Sequence, residues 1–201
     1  MIRAKDPAVG FTLYELMITV AVVGILSGVA LANYSQRWGE QQLLTRSRSL
    51  HAWLDQHRRI AMQQGGTCEI SLHAELGTLS ADNEEIEIPD GQLPNVCYGQ
   101  APFNASQQSN AGVTTVITHT PDDVQSLLFS FRGFSKTSQA ISDEVTDNPT
   151  AAFHNASTLE LRLSQSSLTQ QRCLKVLHPL GLIREGRAPN ATQDCIYNSA
   201  Y

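Results

Sequence analysis

The chain has 201 residues, a net charge of −5 and 41% hydrophobic residues. This length is sufficient for one domain with a hydrophobic core and additional segments. The charge is unevenly spread, since residues 67–201 carry 15 acidic and 7 basic side chains. Such an acidic region repels phosphate, which argues against non-specific nucleic-acid binding as the main task of the protein.

The N-terminus combines a short charged segment with a long apolar run. Residues 1–10 read MIRAKDPAVG, and between residues 11 and 34 the only charged side chain is that of Glu15. An apolar run of about 20 residues spans a bilayer as a helix. Arg3 and Lys5 precede the run, so the positive-inside rule places the N-terminus in the cytoplasm and the body outside. We therefore predict a transmembrane helix over 11–34 in a single-pass protein.

Three interpretations of this N-terminus are open. A secretory signal would be cut after the apolar run, where small residues occur between positions 27 and 32. An ordinary membrane anchor explains the run but not Glu15, because a carboxylate inside an apolar helix costs about 3 kcal/mol and is usually functional. Cleavage after Gly10 would leave the run attached, with Phe11 as its new amino terminus, and accounts for both features.

The sequence around Glu15 matches a known motif. The run Gly10-Phe11-Thr12-Leu13-Tyr14-Glu15-Leu16 resembles the prepilin cleavage and methylation motif of type IV pilins and type II secretion pseudopilins. The resemblance implies that a prepilin peptidase cuts after Gly10 and that Phe11 becomes an N-methylated amino terminus. Glu15 matches the intramembrane glutamate of the family. We expect it to pair with the amine of Phe11 on a neighbouring subunit and so to set the axial register.

The pattern remains helical beyond the apolar run. Between residues 36 and 64 the large apolar side chains recur at helical spacing, as Trp38, Leu43, Leu50, Leu54 and Ala61. The pair Gly65-Gly66 is a predicted helix end. We therefore predict one helix of about 50 residues, transmembrane over 11–34 and amphipathic over 35–65, whose apolar face packs on the rest of the protein.

Residues 66–201 have the pattern of a β-rich head. Runs typical of strands alternate with proline and glycine turns. Predicted strands cover 67–72, 85–88, 113–119, 126–131, 159–164 and 173–177, with a short last strand near Ile183. The polar segments 99–112 and 135–157 are predicted loops. The expected fold class is α+β and pilin-like, with one long N-terminal helix packed on an antiparallel head.

The chain has four cysteines, Cys68, Cys97, Cys173 and Cys195. An even number behind a membrane-targeting segment indicates an oxidising compartment and disulfide bonds. The sequence allows three pairings. We favour Cys173–Cys195 because a turn lies between them, and closing that loop would stabilise the fold by about 3 kcal/mol.

No catalytic site, metal site or cofactor is predicted, and the chain is expected not to be an enzyme. The six histidines are scattered, and neither HExxH nor GxSxG occurs. His119 stands near Asp122 and Asp123, which is more typical of a solvated turn than of a metal site. A cluster of acidic residues lacks the glycine-spaced pattern of a calcium loop and is interpreted as a solvated strand edge. Its members are Asp82, Glu84, Glu85, Glu87 and Asp90.

The head resembles the minor-pseudopilin group called GspH/FimT, more weakly than the N-terminus resembles prepilins. In DNA-binding members of this group a Gly-Arg-x-Arg motif stands in the last hairpin. Here Gly181 and Arg184 match, but Leu182 replaces the first arginine. A DNA-binding minor pilin of a competence pilus would use Lys175, Arg184 and Arg187.

Two function classes are therefore open. The first is a minor pilin or pseudopilin that initiates or tips a type IV pilus or a type II secretion pseudopilus, and the second is the DNA-binding minor pilin. The resemblance implies as partners other pilins, prepilin peptidase, the inner-membrane assembly platform and membrane lipid. It implies a bacterial inner-membrane location with a periplasmic head, followed by incorporation into a periplasmic or cell-surface filament.

Overall fold

The computed structural model describes residues 12–73, 78–88, 91–105, 114–139 and 158–197. The helix α1 (Leu13–Gln64) comes first and antiparallel strands follow it. These are β1 (Cys68–His73), β2 (Thr78–Ser80), β3 (Glu85–Ile88), β4 (Gly91–Pro94), β5 (Phe103–Asn104), β6 (Thr115–Thr120), β7 (Val124–Phe129), β8 (Ser135–Gln139), β9 (Thr158–Gln165), β10 (Gln171–Leu177), β11 (Leu182–Ala188) and β12 (Ile196–Tyr197). The chain divides into two compact units, one ending at Trp38 and one spanning Gly39–Tyr201.

The ends of α1 follow from local chemistry. Thr12 acts as the N-cap, because its Oγ1 accepts a hydrogen bond from the backbone N–H of Glu15 at 3.2 Å. At the other end Gly65 has a φ of 66°, which closes the helix in the left-handed conformation that glycine tolerates best. The N–H of Gly66 then bonds to the carbonyl of Ala61 at 3.1 Å. A side chain on Gly66 would collide with Val96.

The strands of the second unit form two five-stranded sheets and a separate hairpin. The first sheet has the order β5-β2-β1-β7-β8, the second β12-β11-β10-β9-β6, and β3 pairs with β4. Strand β9 buries every second residue, which is the pattern of a strand with one face on a core. The hairpin of β10 and β11 runs in unbroken register from Gln171 opposite Ala188 to Leu177 opposite Leu182.

The second half of α1 and both large sheets share one hydrophobic core. Leu43, Leu50, Leu54 and Ala61 are at most 1% exposed, and their spacing of seven, four and seven residues places them on one side of the helix. They belong to the same buried cluster as Ile70 and Phe129 of the first sheet and Leu161 and Leu174 of the second. Four residues of the predicted packing face are therefore buried, whereas Trp38, the first residue of that face, is 56% exposed.

The predicted membrane-spanning segment requires a correction. Within the parts of the chain that the structure describes, no helix has both the length and the apolar character needed to cross a membrane. The prediction of a single-pass inner-membrane location is contradicted by the same finding.

The predicted fold class is also wrong as a whole. The sequence predicts one long N-terminal helix, transmembrane and then amphipathic, packed on an antiparallel β-rich head. The structure assigns only residues 39–64 of α1 to the compact unit that holds the strands, and no helix within the described residues qualifies as membrane-spanning. The strands of the second unit form three antiparallel sheets.

The sequence pattern predicted the positions of most long strands, and it missed the short ones. Each predicted run overlaps a strand, including the last one near Ile183. The segments predicted as loops contain β5 at Phe103–Asn104 and β8 at Ser135–Gln139. Strand β8 was overlooked because its composition is polar, and it forms because it pairs with the apolar strand β7 along the sheet edge. Residues 106–112 and 140–157 of these predicted loops lie outside the described residues.

Candidate functional site

The first candidate site is the surface of α1 before the second unit begins. Every residue from 12 to 28 is exposed. The exposed side chains include large apolar groups on all sides of the helix, from Leu13 at 78% and Tyr14 at 72% to Ile25 at 72% and Leu26 at 64%. A helix that is apolar on every side is normally buried on every side. Exposed apolar surfaces of this extent often mark contacts with other molecules.

Glu15 lies on this exposed apolar helix. It stands in the first turn, where a carboxylate is favoured by the positive end of the helix dipole. Its side chain makes no ion pair with any residue that the structure describes. The predicted cleavage residues Gly10 and Phe11 lie outside the described residues. The pairing of the Phe11 amine with Glu15 of a neighbouring subunit therefore stays a prediction.

The second candidate site is the hairpin of β10 and β11, which holds the predicted DNA-binding residues. Lys175 lies directly opposite Arg184, so these two cations share one face of the sheet. The ammonium of Lys175 lies 5.4 Å from the ring centre of Tyr197 on β12. Arg187 is three residues beyond Arg184 in a regular strand and therefore lies on the other face. The structure thus joins Lys175 with Arg184 and separates both from Arg187.

Arg187 belongs to a different group, here named the arginine cluster and made of Arg48, Arg172 and Arg187. Arg172 lies directly opposite Arg187 in the hairpin. His51 of α1 bonds to Glu185 of β11 at 2.8 Å. Arg48 is one turn before His51, and Arg187 is two residues after Glu185 on the same strand face. The helix therefore brings Arg48 alongside the two strand arginines.

The electrostatics of Arg172 agree with this geometry. Burial lowers the pKa of its guanidinium, the charge of Arg187 lowers it further, and Arg48 acts in the same direction. Glu185 and Glu40 oppose these effects. The sequence pattern did not single out Arg48 or Arg172. The register of β10 against β11 reveals the grouping, and sequence spacing alone does not contain that register.

The cysteines form two disulfide bonds. Cys68 pairs with Cys97, with 5.2 Å between their Cα atoms, and Cys173 pairs with Cys195, with 6.3 Å between theirs. The preferred pairing of Cys173 with Cys195 is therefore present. Among the described residues, one group of potential metal ligands lies close together, formed by Glu160 with Cys173 and Cys195. Because both sulfur atoms are in the disulfide, they are not thiolate ligands.

Glu160 instead holds strand β12 in place. One oxygen accepts a hydrogen bond from Arg162 at 2.6 Å, and the other accepts one from the hydroxyl of Tyr197 at 2.5 Å. Burial and this hydrogen bond raise the pKa of Tyr197 above its ordinary value. Together with the disulfide at Cys195, these bonds fix β12 at the edge of the second sheet.

One pair of side chains resembles part of a catalytic site. The Ser135 hydroxyl lies 2.6 Å from Nδ1 of His178. Ser135 is only 1% exposed, and the backbone N–H of the same residue bonds to the carbonyl of Pro179 at 2.8 Å. A nucleophile must reach its substrate. The pair therefore joins the β10–β11 turn to the start of β8 and has a structural role.

Comparisons with known proteins yield no assignment. The chain matches no protein-family model, and neither the curated proteins nor the solved structures contain a significant match.

Proposed function

We propose that this chain is a non-enzymatic subunit of a pilus-like filament, of the minor pilin or pseudopilin kind. A prepilin peptidase would cut it between Gly10 and Phe11, and the residues that follow would join it to other subunits. The motif at residues 10–16 supports the processing step. The observation that carries the proposal is the fully exposed apolar surface of residues 12–28, with Glu15 as its only charge.

The exposed apolar surface of residues 12–28 is unfavourable in water. Exposed apolar surface costs about 25 cal/mol per Å² relative to its burial, and a helix that exposes large side chains on every side is far from its free-energy minimum in water. Packing against similar helices of other subunits removes this cost. A carboxylate inside such a bundle requires a cationic partner. A free amine at Phe11 of a neighbouring subunit would meet that requirement.

The second unit is stabilised by two disulfide bonds. Strand β12 is held by one of them and by the Tyr197–Glu160 hydrogen bond. These bonds support a durable subunit.

The structure offers no separate support for the DNA-binding alternative. Its three candidate residues lie on two faces of the β10–β11 hairpin, with Lys175 and Arg184 on one and Arg187 on the other. Arg187 also shares its strand face with the carboxylate of Glu185, two residues earlier. A strand of DNA would therefore not meet all three cations on one surface. The proposal accordingly concerns filament assembly.

Intact-mass spectrometry of the protein purified from its native cell tests the processing step. We expect a chain that begins at Phe11 and carries one added methyl group at its amino terminus. A Gly10→Glu variant should keep residues 1–10, because the charged side chain alters the residue before the cut. A Val9→Thr variant is the matched control and should be cut normally. Native protein that keeps residues 1–10, or that has lost the entire run 11–34, would refute the proposal.

A further inference from the structure

The guanidinium groups of the arginine cluster make no direct ion pair within the described part of the chain. The side chains of Arg48, Arg172 and Arg187 take part in none of the ion pairs or side-chain hydrogen bonds found there. Glu185 accepts a hydrogen bond from His51 instead, and Glu40 contributes only a longer-range attraction at Arg172. Arg48 and Arg187 are exposed, whereas Arg172 is half-buried. Three cations that repel each other are thus held together, with the charges of Glu185 and Glu40 acting against the repulsion at Arg172.

Such an arrangement is unfavourable in an isolated chain. Like charges that lie close together destabilise each other, and partial burial of Arg172 adds a desolvation cost. The fold nevertheless imposes the grouping, through the direct pairing of Arg172 with Arg187 and the His51–Glu185 contact. An anion that binds between the guanidinium groups would remove both costs. Arginine side chains are well suited to this, because each can donate two parallel hydrogen bonds to one carboxylate.

We infer that the arginine cluster is a contact surface that binds an exposed carboxylate of a neighbouring subunit in the filament. The inference rests on the proposed function, since assembly into a filament brings each subunit against the surface of another subunit. Most of the surface charge of this chain is acidic beyond residue 66. A basic cluster on an acidic subunit gives neighbouring subunits a defined orientation, because other orientations bring like charges together.

The nearby glutamates indicate the kind of anion. Glu185 and Glu40 both act on Arg172, so the three positive charges stand beside two negative ones. The small net positive charge suits a single carboxylate. A polyanion such as a nucleic acid would bring several phosphates towards those two glutamates, and it gains most from a surface that is positive throughout. A protein carboxylate is therefore favoured over a phosphate polymer.

Zero-length cross-linking with a carbodiimide tests the inference on assembled filaments. The variant Arg187→Lys keeps the positive charge and provides an amine, which the reagent joins directly to a carboxylate in contact with it. The matched control is Arg132→Lys, because Arg132 is also exposed but lies on the β7–β8 turn. We expect a cross-link between subunits at position 187 of the first variant and none at position 132 of the control, as mapped by peptide mass spectrometry. High salt should reduce its yield severalfold, because screening weakens exposed ion pairs.

The other outcomes of these experiments distinguish failure of the contact surface from failure of the proposed function. Normal filaments of the Arg187→Lys variant without a cross-link at position 187 would refute the contact surface and leave the proposed function intact. Absence of filaments from the wild-type chain would refute the proposed function, and the inference with it. Inorganic phosphate provides a further arm on the unassembled wild-type chain. Saturable binding of phosphate that Arg187→Glu abolishes, together with no cross-link, would make the cluster a site for small anions instead.

Discussion

His57 illustrates how burial controls the protonation of a single side chain. It is 1% exposed, and its Nδ1 donates a hydrogen bond to the carbonyl of Trp53 at 2.8 Å. Its Nε2 is buried without a hydrogen-bond partner among the described residues. Protonation would place a second N–H there with no acceptor, which is costly. Burial accordingly lowers the pKa of His57, and it lowers the pKa of His178 as well.

We predict that the stability of the protein decreases as the pH falls below about 6.5, the ordinary pKa of histidine. The unfolded chain takes up these protons at a higher pH than the folded chain, so acid favours unfolding. Urea denaturation at about pH 7.5 and about pH 5.5, on either side of that pKa, measures the difference. The variant His57→Leu should reduce the decrease. An equal decrease in both proteins would contradict the prediction.

The sequence predicts some groupings of residues and not others. The helical spacing of Leu43, Leu50, Leu54 and Ala61 predicted which side of α1 is buried, because a period of 3.6 residues is a local property of the chain. The grouping of Arg172 with Arg187 was not predictable, because it depends on strand register. Register is fixed by the packing of the whole sheet and by the turn between the strands.

At the scale of elements, Arg58 of α1 joins two turns of different sheets. Its Nε donates to the carbonyl of Gly133 in the β7–β8 turn at 3.2 Å, and one terminal nitrogen donates to the carbonyl of Leu180 in the β10–β11 turn at 3.3 Å. The two turns touch directly, since a Cβ on Gly181 would come within 2.6 Å of the Gly133 carbonyl. The arginine therefore connects the helix and both sheets at one point.

We predict that Arg58→Ala lowers the free energy of unfolding by about 2 kcal/mol, because two hydrogen bonds from a charged donor are lost. Arg59→Ala is the matched control, since Arg59 pairs with Asp55 on the exposed surface of the same helix. That pair should contribute about 0.5 kcal/mol or less. Urea denaturation of the three proteins measures both values. Equal effects of the two substitutions would show that Arg58 does not connect the turns.

The sequence predicts the strands that have an apolar face, and it does not predict strands that are polar or very short. Strand β9 alternates buried and half-buried residues, and its pattern was readable because one face is apolar. Strands β5 and β8 were interpreted as loops, because β5 has two residues and β8 is polar. Both lie at sheet edges, where backbone hydrogen bonds to an apolar neighbour determine the structure more than the side chains do. The predicted helix end at Gly65 is correct, since this residue has a positive φ.

At the scale of the molecule, the error in the fold prediction arose from combining two correct local patterns. The apolar run and the amphipathic pattern predict one continuous helix packed on the head. The contacts instead assign the segment up to Trp38 and the segment from Gly39 onward to different compact units. Local periodicity carries no information on which part of a helix gains packing partners.

Glu15 is the only charged residue of the exposed stretch 12–28. We expect the variant Glu15→Leu to fold normally but to enter filaments poorly, because the amine of Phe11 on the neighbouring subunit would lose its carboxylate. Leaving a buried charge without its partner costs about 3 kcal/mol or more. Electron microscopy and sedimentation of filaments from cells that express the variant measure incorporation.

Thr19→Leu is the matched control, because Thr19 lies on the same exposed stretch and its hydroxyl bonds only to the carbonyl of Leu16 one turn earlier, at 2.9 Å. This change removes a polar group without removing a charge, so incorporation should be unaffected. Circular dichroism of both variants would show whether the second unit remains folded, since Glu15 and Thr19 lie outside it. Normal filament incorporation of Glu15→Leu would contradict the pairing, whereas a loss in both variants would indicate that the helix surface as a whole, and not its carboxylate, controls assembly.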